Sequence, residues 1–129
     1  MIKILIVDDN PGDRKLIELA LKETGWDSQV TSVEDANQAM KILKTEIPDL
    51  ILMDIMMPEM LGGDAVRMLK ADQRTRLIPV VFLTGVFGKQ DEKEQGKGIN
   101  VDGQWYSAIA KPIEGSRLKE IIQKHVKAS

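Results

Sequence analysis

The sequence has no cysteine and a single histidine among its 129 residues. Disulfide bonds and thiolate metal sites are therefore excluded, and the composition is compatible with a reducing compartment. No apolar run approaches the ~20 residues that a membrane-spanning helix needs. The opening "MIKILIV" is too short for the apolar region of a signal peptide. We therefore expect a cytoplasmic protein that does not act at a membrane.

The sequence also lacks a strong excess of charge of either sign. Its formal net charge is −2, and its lysines and arginines are dispersed, so neither a nucleic-acid partner nor a membrane surface is predicted. The apolar fraction of 43% and the charged fraction of 29% are ordinary for one globular domain. We therefore treat residues 1–129 as a single domain. A nucleotide-binding domain is disfavoured, because no Walker-type loop or Gly-x-Gly-x-x-Gly turn follows the first apolar run.

Short apolar runs alternate with amphipathic segments along the whole chain. The predicted strands are "IKILIV", "SQVTSV", "LILM", "PVVFL" and "SAIA", and the predicted helices are "NPGDRKLIELALKETG", "EDANQAMKIL", "GDAVRMLKAD" and "SRLKEIIQKHV". Strands that are apolar on both faces and alternate with helices form parallel sheets covered on both sides. The pattern thus predicts a doubly wound α/β domain.

Polar residues follow four of the predicted strands at the points where those strands end. Asp8 and Asp9 follow "ILIV", Asp54 follows "LILM", Thr84 follows "VVFL", and Lys111 follows "SAIA". Because parallel strands present their carboxyl ends at one edge, we expect these side chains to lie together. Crowded carboxylates repel by about 4 kcal/mol per pair at 4 Å and an effective dielectric of ~20. A hard divalent cation offsets this repulsion, and oxygen-only ligands suit Mg²⁺.

A carboxylate beside Mg²⁺ is able to attack phosphorus and form an acyl phosphate. Asp54 is the best candidate nucleophile, since it alone ends a central strand that is buried on both faces. Asp8 and Asp9 are then the metal pair. Lys111 would neutralise charge on the transferring phosphoryl group, and Thr84 would donate a hydrogen bond to it.

With these residues identified, the sequence resembles the receiver domain of bacterial two-component response regulators, of the single-receiver chemotaxis type. The resemblance rests on "VDDN", "LILMDIMMPEMLGG", "FLTG" and "KP" in that order, over essentially the whole chain. It implies a flavodoxin-like sheet of five parallel strands in the order 2-1-3-4-5. It also implies a signalling domain that catalyses only its own phosphorylation and dephosphorylation.

The resemblance gives each acidic residue a role. Asp54 would accept phosphate from a histidine kinase or a histidine phosphotransfer protein. Asp9 and Asp54 would contact Mg²⁺ directly, and Asp8 partly through water. Met56 would contribute its backbone carbonyl to the metal.

The resemblance also implies a switch. Thr84 would be the switch hydroxyl and Lys111 the phosphate-binding lysine, with a cis peptide between Lys111 and Pro112. Phosphorylation would draw Thr84 toward the phosphate and rearrange the surface formed by the last strand and its flanking helices. An unidentified downstream protein would then bind that surface.

The chain departs from the receiver pattern between Thr84 and Lys111, where it is several residues longer. "GKQDEKEQGKG" has no apolar stripe, so the helix that belongs there is predicted to be short or frayed. Asp102-Gly103 is a turn signal that predicts a β-hairpin before the last strand. Receivers usually carry an aromatic residue at the position of Ala108. Tyr106 either replaces that aromatic or only packs the hairpin onto the domain.

Two other functions are compatible with parts of this pattern. A phosphohydrolase of the haloacid-dehalogenase type also uses an aspartyl nucleophile with Mg²⁺, but it requires an acid where Met56 stands. A receiver-like interaction module that never accepts phosphate is the second alternative. His125, the only histidine, is interpreted as a helix-end residue near the negative end of the helix dipole, in preference to a phosphate carrier.

Overall fold

Strands and helices alternate along the chain much as the sequence pattern predicts. The computed structural model describes residues 1–55, 62–85, 99–111 and 113–126. Its strands are β1 (Ile2–Val7), β2 (Ser28–Val33), β3 (Leu50–Asp54), β4 (Val80–Thr84), β5 (Ile99–Val101), β6 (Gln104–Tyr106) and β7 (Ala108–Ala110). Its helices are α1 (Pro11–Glu23), α2 (Ala36–Leu43), α3 (Gly62–Ala71) and α4 (Gly115–His125).

Five strands form one parallel sheet in the order β2-β1-β3-β4-β7. This is the predicted order 2-1-3-4-5, because β5 and β6 form a separate pair. Alternate residues of each strand point to opposite faces. Leu5 and Val7 of β1 therefore enter one apolar layer, while Ile4 and Ile6 enter the other. The prediction of a doubly wound α/β fold is confirmed.

Each face of the sheet is covered by its own layer. Among the described residues, one layer is formed by α2, α3 and the β5–β6 pair, and the other by α1 and α4. The buried helical residues of the first layer are Ala36, Ala39, Leu43, Ala65, Val66 and Leu69. Those of the second are Ile17, Ala20, Leu21, Leu118, Ile121 and Ile122. The residues that follow the strands at the carboxyl edge of the sheet lie between these two layers.

Helix α1 is capped by Asn10 and begins at Pro11, but one of its apolar residues faces outward. Asn10 accepts a hydrogen bond from the Asp13 N–H at 3.0 Å, which caps the helix. The i, i+4 spacing of Leu16 with Ala20 and of Ile17 with Leu21 predicts an apolar face that includes Leu16, yet Leu16 is 56% exposed. With 3.6 residues per turn, Leu16 lies about a quarter turn from the centre of the buried stripe. That part of the helix prediction is wrong.

Strands β5 and β6 form the predicted hairpin. They pair antiparallel, with Val101 opposite Gln104. The turn residues Asp102 and Gly103 have φ angles of 53° and 89°. A two-residue hairpin loop with a type I′ turn requires positive φ at both central residues. The hairpin packs on the same face of the sheet as α3.

The two hairpin aromatics differ sharply in environment. Tyr106 is 6% exposed, whereas Trp105 is 52% exposed. The ring of Tyr106 meets Phe82 edge to face at 5.7 Å, and Lys70 Nζ lies 5.6 Å from its centroid. Tyr106 therefore anchors the hairpin to β4, while Trp105 faces solvent.

Three predictions lie outside the described residues: the carbonyl role of Met56, the peptide bond to Pro112, and the helix between Thr84 and Lys111. None of the described helices combines the length and the apolar composition that a membrane-spanning helix requires.

Candidate functional site

The residues predicted to share a site meet at the carboxyl edge of the sheet. Asp8 follows β1, Asp54 is the last residue of β3, Thr84 is the last residue of β4, and Lys111 follows β7. The backbone N–H of Lys111 donates to the carbonyl of Thr84 at 2.9 Å. The strand register thus brings together residues that lie up to about a hundred positions apart in the sequence.

Three carboxylates form a compact acidic cluster at this edge. One oxygen from each of Asp8, Asp9 and Asp54 lies within 4.8 Å of the other two. Asp8 is 0% exposed and Asp54 is 7% exposed, whereas Asp9 is exposed to solvent. Buried carboxylates at such separations require a compensating cation, since their repulsion is poorly screened there.

Asp8 is oriented by its neighbours so that one oxygen remains available. Its Oδ1 accepts a hydrogen bond from the Asn10 N–H at 3.0 Å, and its backbone carbonyl accepts one from Arg14 Nη1 at 2.7 Å. Its Oδ2 is buried and accepts no hydrogen bond from the described residues. Lys111 Nζ lies 2.9 Å from that oxygen, as an ion pair rather than a well-directed hydrogen bond. An all-oxygen set with a buried, incompletely satisfied oxygen fits a hard cation such as Mg²⁺.

Lys111 places one ammonium group among the carboxylates. Its Nζ lies 2.9 Å from Asp8 Oδ2, 2.9 Å from Asp13 Oδ2 and 3.4 Å from Asp54 Oδ2. Burial lowers the pKa of Lys111, but the hydrogen bond to Asp13 and the charges of Asp8 and Asp54 raise it more, so the net pKa is raised. The ammonium is therefore charged at any physiological pH.

Thr84 is fixed at the end of β4 and is only 2% exposed. It pairs with Ala110 in the sheet, and Asp54 pairs with its neighbour Leu83. Thr84 therefore lies one strand away from both Asp54 and Lys111. Thr84 shares its strand face with Phe82, which the hairpin residue Tyr106 contacts.

Asp13 is the site residue that sequence reasoning missed. It lies in the first turn of α1, and its carboxylate approaches Lys111 as closely as that of Asp8 does. The signal was present, because α1 begins just after β1 and its first turn must lie at the same edge. Nothing in the local pattern, however, indicated which lysine Asp13 would meet.

His125 lies away from this cluster, as its interpretation as a helix-end residue requires. It is the last residue of α4, and its Nε2 is 2.9 Å from Ser107 Oγ. Ser107 precedes β7, whereas Lys111 follows it. The histidine is therefore at the opposite end of that strand from the acidic cluster.

Comparison with known proteins agrees with this geometry. Residues 4–123 match the family described as the response regulator receiver domain. Response regulator Rre1 of Synechocystis sp. is 33% identical over 95% of this chain, which spans 50% of Rre1. Protein PilH of Pseudomonas aeruginosa is also 33% identical, with 95% of each chain covered.

Among solved structures, the receiver domain of sensor histidine kinase PA1611 from Pseudomonas aeruginosa PAO1 is 31% identical. It covers 98% of each chain with a TM-score of 0.76, and its crystal structure has a magnesium ion coordinated in the active site cleft. This chain belongs to the response regulator receiver domain family of two-component signalling systems. Members of this family work with histidine kinases and downstream effectors. The chain spans about half the length of Rre1 but nearly all of PilH.

Proposed function

We propose that residues 1–129 form a phosphoacceptor domain in which Asp54 receives a phosphoryl group from a phosphohistidine. The donor is a histidine kinase or a histidine phosphotransfer protein, and a downstream protein binds the phosphorylated form. The observation that carries this proposal is the convergence of Asp8, Asp9 and Asp54 within 4.8 Å with an ammonium 3.4 Å from Asp54. The chemistry performed is limited to the domain's own phosphorylation and dephosphorylation.

In the proposed reaction, a carboxylate oxygen of Asp54 attacks phosphorus. The phosphorus–nitrogen bond of the phosphohistidine breaks, and its electron pair remains on the imidazole nitrogen, which takes up a proton to leave as neutral histidine. The product is an acyl phosphate on Asp54. Lys111 lies close enough to Asp54 to neutralise the added negative charge, and the hydroxyl of Thr84 would donate a hydrogen bond to a phosphoryl oxygen.

Asp8, Asp9 and Asp54, with the backbone carbonyl of Met56, are the proposed Mg²⁺ ligands. When bound, the cation would neutralise negative charge on the phosphoryl oxygens and help to orient the group for transfer. The buried Oδ2 of Asp8 and the exposed carboxylate of Asp9 support this assignment. The former accepts no hydrogen bond from the described residues and pairs only with the Lys111 ammonium among them, and the latter opens to solvent.

The surface that a downstream partner binds is proposed to include the β5–β6 hairpin. Thr84 and Phe82 lie on the same face of β4, and Tyr106 packs on Phe82 at 5.7 Å. A shift of Thr84 toward a phosphoryl group would therefore be transmitted to the hairpin through this aromatic pair. The exposed ring of Trp105 would move with it.

Incubation with acetyl phosphate and Mg²⁺ tests the acceptor function. We expect intact-protein mass spectrometry to show one added phosphoryl group, and hydroxylamine to remove it, because acyl phosphates are cleaved by this nucleophile. Asp54→Asn should abolish the addition of the phosphoryl group. Asp27→Asn, a change at an exposed acid, should not affect this addition. Chelation of Mg²⁺ should also prevent it.

Two results would contradict this function. A folded wild-type protein that gains no phosphoryl group from any small donor would support the interaction module instead. Continuous turnover of unrelated phosphoesters, without accumulation of a modified Asp54, would support the phosphohydrolase.

A further inference from the structure

The ammonium of Lys111 is shared by more carboxylates than the acceptor chemistry requires. Asp13 Oδ2 lies 2.9 Å from Lys111 Nζ, which is closer than Asp54 Oδ2 at 3.4 Å. Asp13 accepts a hydrogen bond from this ammonium, and the two residues are 98 positions apart in the sequence. Three negative groups therefore compete for one positive group.

Helix capping explains the position of Asp13 but not its contact with Lys111. The backbone N–H of Asp13 is bound by Asn10, which fixes the residue in the first turn of α1. An acid in this turn is favoured by the helix dipole wherever its carboxylate points. The side chain is 33% exposed and lies with Lys111 along an open groove of about 270 Å³. Its carboxylate was free to face solvent, yet it pairs with the lysine.

We propose that Asp13 is a positioning residue that competes with the phosphoryl group of Asp54 for Lys111. This inference rests on the proposed acceptor function. A phosphoryl group on Asp54 adds negative charge that Lys111 must neutralise, so the ammonium has to turn away from Asp13 when the group arrives. Asp13 therefore weakens binding of a phosphoryl group at Asp54.

The same contact has the opposite effect on a metal ion. Asp13 shares the ammonium with Asp8 and holds it 3.4 Å from Asp54, and it adds a negative charge beside the cluster. Both effects favour a divalent cation. Removing the carboxylate should therefore tighten binding of a phosphoryl group and weaken binding of Mg²⁺. A loss of structure would weaken both, so the two measurements together separate a positioning role from a structural one.

Calorimetric titrations of Asp13→Asn provide the test. One titration measures the dissociation constant of Mg²⁺ alone, and the other that of beryllofluoride, a phosphoryl mimic, at saturating Mg²⁺. We expect beryllofluoride to bind about fivefold more tightly and Mg²⁺ about two- to fivefold more weakly, the range for partly exposed ion pairs. Asp13→Glu, which keeps the charge, should lie nearer to wild type. Glu46→Gln removes an exposed acid after α2, at the amino edge of the sheet, and should change neither constant.

The role of Asp13 is overturned if Asp13→Asn leaves the beryllofluoride constant unchanged or weakens it while wild type binds normally. Urea unfolding of each variant checks that the fold is intact, and Asp13→Ser offers a second variant if the first is unstable. Failure of the wild-type protein to bind beryllofluoride with Mg²⁺ would overturn both this role and the acceptor function.

Discussion

Replacing Lys111 with methionine should destabilise the protein much more in the absence of Mg²⁺ than in its presence. Methionine keeps most of the aliphatic stem and removes the ammonium. The change leaves Asp8, which is 0% exposed, without its cationic neighbour at 2.9 Å. It also leaves Asp54 without the ammonium at 3.4 Å.

The size of the effect follows from burial. Breaking a fully buried ion pair costs about 3–5 kcal/mol, because the remaining charge is uncompensated. The side chain of Lys111 is 20% exposed, so water reaches part of the site. We therefore expect the free energy of unfolding in EDTA to fall by about 2–3 kcal/mol. Saturating Mg²⁺ should reduce this loss to about 1 kcal/mol, since the cation replaces the ammonium as counterion.

Urea denaturation with and without Mg²⁺ measures this difference. At an m-value of about 1–3 kcal/mol/M, a loss of about 2–3 kcal/mol should lower the EDTA midpoint by about 0.7–3 M with m unchanged. Lys41→Met, at an exposed position in α2, is the matched control and should stay within about 0.5 kcal/mol of wild type. An equal loss of unfolding free energy with and without Mg²⁺ would refute the reasoning. It would show that the variant is destabilised by altered packing of the aliphatic stem and not by the missing charge. No loss in EDTA would show that the carboxylates need no counterion.

Two further predictions concern the hairpin and the single histidine. Tyr106→Ala should lower the free energy of unfolding by about 3 kcal/mol, because it removes a buried ring that packs on Phe82. Trp105→Ala should lower it by less than about 1 kcal/mol. Equal losses for the two variants in urea denaturation would contradict the anchoring role of Tyr106. Burial, together with the charge of Lys124, lowers the pKa of His125 below its usual 6.5. The unfolded chain therefore binds more protons there, and stability should fall as the pH drops below about 6.5. His125→Asn should reduce this dependence between pH 7.5 and 5.5, and an unchanged slope would exclude the histidine as its source.

Much of the fold was predictable because its signals are local. Apolar runs of strand length and helical apolar stripes identify the elements, and parallel strands place their carboxyl ends together. Asp8, Asp54, Thr84 and Lys111 could therefore be grouped from sequence alone. The hairpin was predictable from Asp102-Gly103 because few residue pairs tolerate two positive φ angles in succession.

What could not be predicted depends on contacts between distant segments. Leu16 and Ile17 both fit an apolar stripe on α1, and only packing against the sheet and α4 decides which one is buried. Asp13 likewise looked like an ordinary first-turn acid. Its contact with Lys111 depends on the angle at which α1 leaves β1, and that angle is set by the completed layer of helices.

The pairing of α1 with α4 in one layer also constrains how the chain is made. As the polypeptide leaves the ribosome, β1 and α1 emerge before α4, yet the apolar stripe of α1 is completed by Leu118, Ile121 and Ile122 from far downstream. Until those residues emerge, apolar surface on one side of the growing sheet remains exposed and is able to associate with other nascent chains. Synthesis that stalls before α4 would thus yield a fragment with an exposed apolar surface, which chaperones bind.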